Sequence, residues 1–145
     1  MITLECVSAL PKELDETHIH RIERALTRAL RIRGSETATV GFVTESAIQK
    51  LNKQFRGKNV PTDVLSFSSI APPEGVRMKE RMMGDIVIAT SYARTEAKRR
   101  ALPLVEELVR LIVHGVLHLH GFDHHTPDEE AEMFALQERC VEECV

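Results

Sequence analysis

His114 and His118 stand four residues apart in the run LIVHGVLHLHGFDHH (111–125). On a helix that spacing stacks both imidazoles on one face, about one turn apart. Gly121 would stop such a helix, since glycine is the usual residue just past a helix end. The chain could then turn back and offer His124 to the same point. Three neutral imidazoles converging with no fourth protein ligand suit Zn²⁺ with one coordination position open for water. The spacing H-x3-H-x5-H also overlays the extended zincin signature H-E-x-x-H-x-x-G-x-x-H, Gly121 included. Where a metalloprotease carries its glutamate general base, this chain has Gly115. The ligand spacing is kept and the protease's base is missing. A lone histidine is ordinarily a surface or satisfied core residue, and that reading suits His120 and His125. Three at these offsets around a helix-ending glycine favour a metal site over accident.

The elements that must position these rings follow from periodicity. Ile2, Leu4 and Cys6 alternate in a strand over residues 2–7. Residues 14–32 place Ile19, Ile22, Leu26 and Leu30 at helical intervals, with the end expected near Gly34. TATVGFV (37–43) is β-branched and reads as a second strand. Thr44 caps a short helix running to about Phe55, with Ile48 and Leu51 inward. RGKNVPT (56–62) is loop, and Val64, Leu65 and Phe67 make a third strand. Residues 69–83, with Pro72, Pro73 and Gly75, form a long surface excursion. GDIVIA (84–89) has the continuous apolar run of a buried central strand. Thr90 or Ser91 caps the next helix, which ends around Arg100. Pro103 fits the first turn of the helix carrying His114 and His118, with Glu106 and Glu107 near its positive end. Thr126-Pro127-Asp128-Glu129 starts the last helix, which buries Met133, Leu136 and Cys140. The reading is an α/β chain of about four strands and five helices, with residues 1–145 forming a single domain.

Its 145 residues suit one domain with a real core. A hydrophobic content of 43% beside 28% charged residues is that of an ordinary globular protein. No apolar run approaches a membrane span and MITLECV lacks a signal pattern, so no membrane is expected and a cytoplasmic location is. Three cysteines without an export signal point to reduced thiols. Cys140 and Cys144, four apart, lack partner ligands for a second metal site. The net charge of −3 does not advertise nucleic-acid binding, but its distribution is uneven. Arg21, Arg24, Arg28, Arg31 and Arg33 form one basic group, Arg94, Lys98, Arg99 and Arg100 another, and the C-terminal segment is acidic. An even balance can hide a basic face, and solvated helix surfaces explain each group equally well.

Two stretches together carry a resemblance. HGVLHLHGFDH (114–124), with LNKQFRGKNVPTDVLSF (51–67) and GDIVIAT (84–90), resembles the YbeY family of bacterial endoribonucleases, which act in ribosomal RNA maturation. Asn59 stands where the family commonly has an aspartate and Phe122 where it commonly has a tyrosine; neither is a proposed ligand. The resemblance implies a mixed four-stranded sheet covered by helices and one zinc per chain held by His114, His118 and His124. It implies cleavage of single-stranded RNA and maps the family's functionally important arginine onto Arg56. Small-subunit rRNA 3′-end processing, ribosome quality control and contact with small-subunit ribosomal proteins and assembly GTPases would be inherited with it.

The chemistry agrees. A phosphorane gathers negative charge, and a guanidinium fork matches phosphate oxygens better than an ammonium does. From position alone Arg56 would be a surface arginine paired with an acid; the resemblance gives it the phosphate. Asp123 could orient a ligating imidazole or tether the turn. His120, His125 and Asp85 are weaker acid–base candidates, and Ser66 and Thr62 could line a groove or satisfy backbone groups. With no Trp, one Tyr and five Phe, a multi-base stacking platform is not expected, so affinity should rest on phosphate contacts. Two rivals stand beside the endoribonuclease. One is a zincin-type metalloprotease, which Gly115 disfavours. The other is a non-catalytic ribosome-assembly factor with a structural zinc, which a fourth protein ligand would favour.

Overall fold

The computed structural model of the chain describes residues 1–69, 75, 80–122 and 125–145. Four strands, β1 (Ile2–Cys6), β2 (Ser35–Val43), β3 (Val64–Ser68) and β4 (Glu80–Ala89), form one sheet in the order β1-β2-β4-β3. β1 and β4 run parallel to β2, while β3 pairs antiparallel with β4, so the sheet is mixed. Five helices accompany it: α1 (Glu16–Ala29), α2 (Glu45–Arg56), α3 (Thr90–Arg99), α4 (Leu104–Leu119) and α5 (Pro127–Cys144). This is the α/β class the sequence pattern implies. Among the described residues no helix is long and apolar enough to cross a membrane.

Alternation along β4 divides the apolar side chains between two faces. Ile86 and Ile88 join the main core with Ile2, Leu26, Val40, Leu108 and Ile112. Val87 and Ala89 join a smaller cluster around Ile48 of α2 and Leu65 of β3. α4 therefore sits against the sheet on the main-core face, held laterally by α1 and α5. α2 packs on the other cluster, and its C-terminal end reaches the edge strand β3.

Several boundaries differ from the sequence reading. α1 ends at Ala29 rather than near Gly34, because Arg31 itself adopts the left-handed conformation (φ 53°). Ile32 N–H then closes onto Thr27 O at 3.1 Å, the bond pattern of a helix stop usually made by glycine. The excursion after β3 is shorter than 69–83, since β4 begins at Glu80. Arg81 and Met82 pair with Glu36 and Thr37, and a bulge lies before the Ala38–Gly84 pair. Residues 70–74 and 76–79 of that excursion lie outside the described residues. α3 continues directly from β4 with Ala89 at its cap position and no side-chain cap, so neither Thr90 nor Ser91 serves. Pro103 is the cap residue of α4, just ahead of the first turn in which the sequence reading places it.

Gly84 explains how β3 and β4 approach so closely. Its φ is +148°, and a Cβ there would lie 2.1 Å from the Phe67 carbonyl oxygen. No other residue fits that position.

Candidate metal and nucleic-acid site

α4 carries His114 and His118 on one face, as their spacing requires. Leu108, Ile112, Val116 and Leu119 hold the helix in the core, and the two histidines are half-buried at its margin. Their ring centroids are 4.5 Å apart, with the planes at 78°. The helix ends as expected. Gly121 (φ +98°) donates its N–H to His118 O at 3.0 Å and Phe122 donates to Leu117 O at 3.0 Å, a two-bond stop that needs a left-handed residue. His124 and Asp123 lie outside the described residues, so the third expected ligand has no described position.

Both rings open onto a groove of about 370 Å³, lined also by Arg56, Lys58, Thr62, Ser66 and Gly115. Arg56 is the last residue of α2, not the first of the loop; Gly57 (φ 70°) caps the helix just after it. The guanidinium Nη2 donates to Ser66 O at 3.4 Å. Among the described residues Arg56 makes no ion pair, and its side chain is exposed. The loop beneath it is fixed from α2. Buried Asn52 donates to Val60 O at 3.0 Å, and Gln49 Nε2 donates to Asn59 Oδ1 at 3.1 Å. No Phe, Tyr or Trp lines the groove among the described residues.

Gly115 has a packing reason. A Cβ there would sit 3.0 Å from three side-chain carbons of Ile86, itself fully buried. Glycine lets α4 settle onto β4 at the point where the histidines face the groove. A glutamate at 115 would have to displace that contact.

His114 is anchored from α5. Its Nδ1 lies 2.8 Å from Gln137 Oε1 of α5. Gln137 Nε2 donates to Glu138 Oε2 at 3.2 Å, and Glu138 receives two bonds from Arg110, at 2.9 and 3.0 Å. The Arg110 hydrogen bond comes first among the causes that hold the Glu138 carboxyl below its ordinary value.

Two imidazoles on one helix face, with His114 Nδ1 engaged by Gln137, are a donor set that suits zinc. Among the described residues no group of three His, Cys, Asp or Glu side chains could hold a metal ion, so two of the three expected ligands are in view. His120 and Asp85 separate from the groove. His120 turns to Glu36 Oε2 at 3.5 Å, beside Arg31, Arg33 and Arg81. Asp85 is exposed and accepts a hydrogen bond from Thr39. It neighbours Ile86 in β4 and so projects from the other face of the sheet. His125 is exposed just before α5. All three cysteines are free thiols, and burial pushes Cys144 up to about 11, which leaves the Cys140–Cys144 pair as core rather than ligand. Asn52, Lys58 and Gln137 were not singled out by the sequence reading. A polar residue at an inward helical position is the signal that would have found Asn52 and Gln137.

The sequence model of the family described as Endoribonuclease YbeY matches residues 7–145. The chain belongs to the YbeY family. An Endoribonuclease YbeY of Persephonella marina is 38% identical over 135 residues, covering 92% of this chain and 78% of the relative. Another, of Bacillus licheniformis, is 40% identical over 134 residues, covering 87% and 85%. The solution structure of TM1509 from Thermotoga maritima shares the fold with a TM-score of 0.69 and 30% identity, covering 99% of this chain and 89% of that one. The Gly115 contact, the groove and the ends of α2 and α4 are thus features of a YbeY-family chain.

Proposed function

We propose that residues 1–145 form a single zinc-dependent endoribonuclease domain that cleaves single-stranded RNA in ribosomal RNA maturation. The observation that carries this reading is the meeting, in one groove, of two helix-borne imidazoles with a guanidinium that has no carboxylate partner among the described residues. Family membership supports the same activity.

His114, His118 and His124 would hold the metal. Bound there, zinc supplies a Lewis acid for water and for a phosphoryl oxygen at neutral pH. Arg56 takes the phosphate: its fork is free to leave the long bond to Ser66 O for two charge-assisted bonds to nonbridging oxygens. That interaction strengthens as negative charge gathers on phosphorus, so Arg56 favours the transition state over the ground state. Lys58 adds a second positive charge along the strand's path. His114, held through Nδ1, keeps its other nitrogen directed away from α5. The small-subunit rRNA 3′ end is the proposed substrate region, with ribosome quality control as the wider role. Small-subunit ribosomal proteins and assembly GTPases are the proposed partners, in the cytoplasm. Gly115 weighs against the protease alternative: the chain carries no general-base glutamate there, and a Cβ at that position would press on Ile86 at 3.0 Å.

Incubation of the protein with an end-labelled single-stranded RNA tests the reading. Cleavage is expected to vanish in His114→Ala, to vanish with a chelator, and to return with added Zn²⁺. Full cleavage by His114→Ala would sink it. RNA binding by that variant should weaken steeply with salt, as phosphate-dominated binding does.

A further inference from the structure

We infer that Gln137 is a positioning residue for His114: it holds the ring as the Nδ1–H tautomer, leaving the Nε2 lone pair for the groove. The inference rests on the proposed role of His114 as a ligand, but its first observable, the tautomer, does not require a metal.

The direction of the contact is fixed by its neighbours. Gln137 is buried, and its amide has two ends of opposite character. The Nε2 end faces the Glu138 carboxylate, which only accepts, at 3.2 Å. The Oε1 end must then face His114, and because an amide oxygen only accepts, His114 Nδ1 must donate across the 2.8 Å gap. A flipped amide would set its oxygen against the carboxylate, acceptor facing acceptor. Arg110 locks Glu138 in turn with its two-bond fork. Arg110 and His114 are four apart on α4, while Gln137 and Glu138 are adjacent on α5. The four side chains therefore close a loop between the two helices and tie the ring angle to their packing.

The neutral amide matters as much as the acceptor. A histidine left to water prefers the proton on Nε2, the nitrogen this groove needs unprotonated. Gln137 reverses that preference without adding a negative charge beside the ring. Partners of this kind commonly change metal affinity about 10–100-fold when removed.

The test uses the full chain, ¹⁵N-labelled at histidine and free of metal, at about pH 8, where an ordinary imidazole is neutral. Long-range ¹H–¹⁵N spectra of the wild type should show His114 Nδ1 as the protonated nitrogen and Nε2 as the bare one. Gln137→Leu should move His114 toward the Nε2–H form and lower Zn²⁺ affinity by about 10–100-fold in a chelator competition. Gln137→Glu, which keeps an acceptor, should restore the Nδ1–H tautomer; thermal melts of both variants report whether they fold. A wild-type ring protonated on Nε2, or an unchanged tautomer in a folded Gln137→Leu protein, would overturn the inference. If Gln137→Leu does not fold, the wild-type spectrum together with Gln137→Glu decides. A wild type with the Nδ1–H tautomer and no Zn²⁺ binding would leave the positioning role standing and remove the metal reading instead.

Discussion

Arg56 and Arg110 are both helical arginines flanking the same pair of histidines, and their surroundings are opposite. Arg110 is mostly buried and lies within 4 Å of three carboxylates, those of Glu106, Glu107 and Glu138. Arg56 is exposed, touches one backbone carbonyl at the long limit of a hydrogen bond, and has no carboxylate partner among the described residues. A guanidinium surrounded by acids has its charge neutralised by the fold. One held at a groove without a counter-ion keeps its charge for something that arrives. The same residue type thus neutralises acids on one side of α4 and, in the function proposed above, meets phosphate on the other.

The sharpest way to break this comparison is to remove each arginine and read both stability and activity. Arg56→Ala should lower RNA cleavage by about 10²–10³-fold, the usual cost of deleting one donor to developing charge, with an unchanged melting temperature. Arg56→Lys should recover only part, since an ammonium lacks the fork. Arg110→Ala should show the reverse emphasis, losing about 2–3 kcal/mol of stability in urea unfolding because half-buried Glu138 loses its two-bond partner and buried Glu107 keeps only Arg100. A folded, fully active Arg56→Ala enzyme would erase the distinction.

Gly115→Ala sharpens the comparison by touching the helix between the two arginines. Alanine favours a helix over glycine by about 1 kcal/mol. Overpacking a core commonly costs about 1–3 kcal/mol, and Ile86 is in contact on three carbons. A net loss of about 1 kcal/mol is expected, visible as a lower melting temperature; a gain would mean that Ile86 yields freely.

The parts of this architecture governed by local rules were legible in the sequence. The Thr44 and Thr126 caps, the Gly121 stop and the buried run of β4 each follow from one residue's chemistry or from a short periodicity. The spacing of His114 and His118 placed them on one face for the same reason. What was not legible depends on partners distant in sequence. Arg31 takes a glycine-like turn because the chain must enter β2 there, and β4 starts at Glu80 because β2 offers Glu36 and Thr37 as partners. Gln137 is the clearest case: its inward position on α5 can be read from the helical spacing, but only the packing of α5 on α4 gives it His114. Arg56 was legible as a motif residue, but its lack of an acid partner among the described residues appears only in three dimensions.

The smallest expected effect separates the two acids that share Arg110. The Arg110 hydrogen bond leads the causes lowering Glu138 from its ordinary 4.5. Its ionised form is therefore favoured by folding: its stabilisation is complete above about 4.5 and is lost as pH falls through the lowered value. Burial leads the causes raising Glu107 from the same 4.5, outweighing the attraction of Arg100 and Arg110. Its contribution is complete below about 4.5 and is lost as pH rises through the raised value. Urea unfolding from about pH 3 to about pH 7 should show each slope, at a kcal/mol or less per group. Glu138→Gln should flatten the acid limb and Glu107→Gln the limb above it. Should both variants flatten the same limb, the acids around Arg110 would share one proton-binding behaviour, and Glu107 would be a fully compensated ion-pair partner rather than a carboxylate held against its burial.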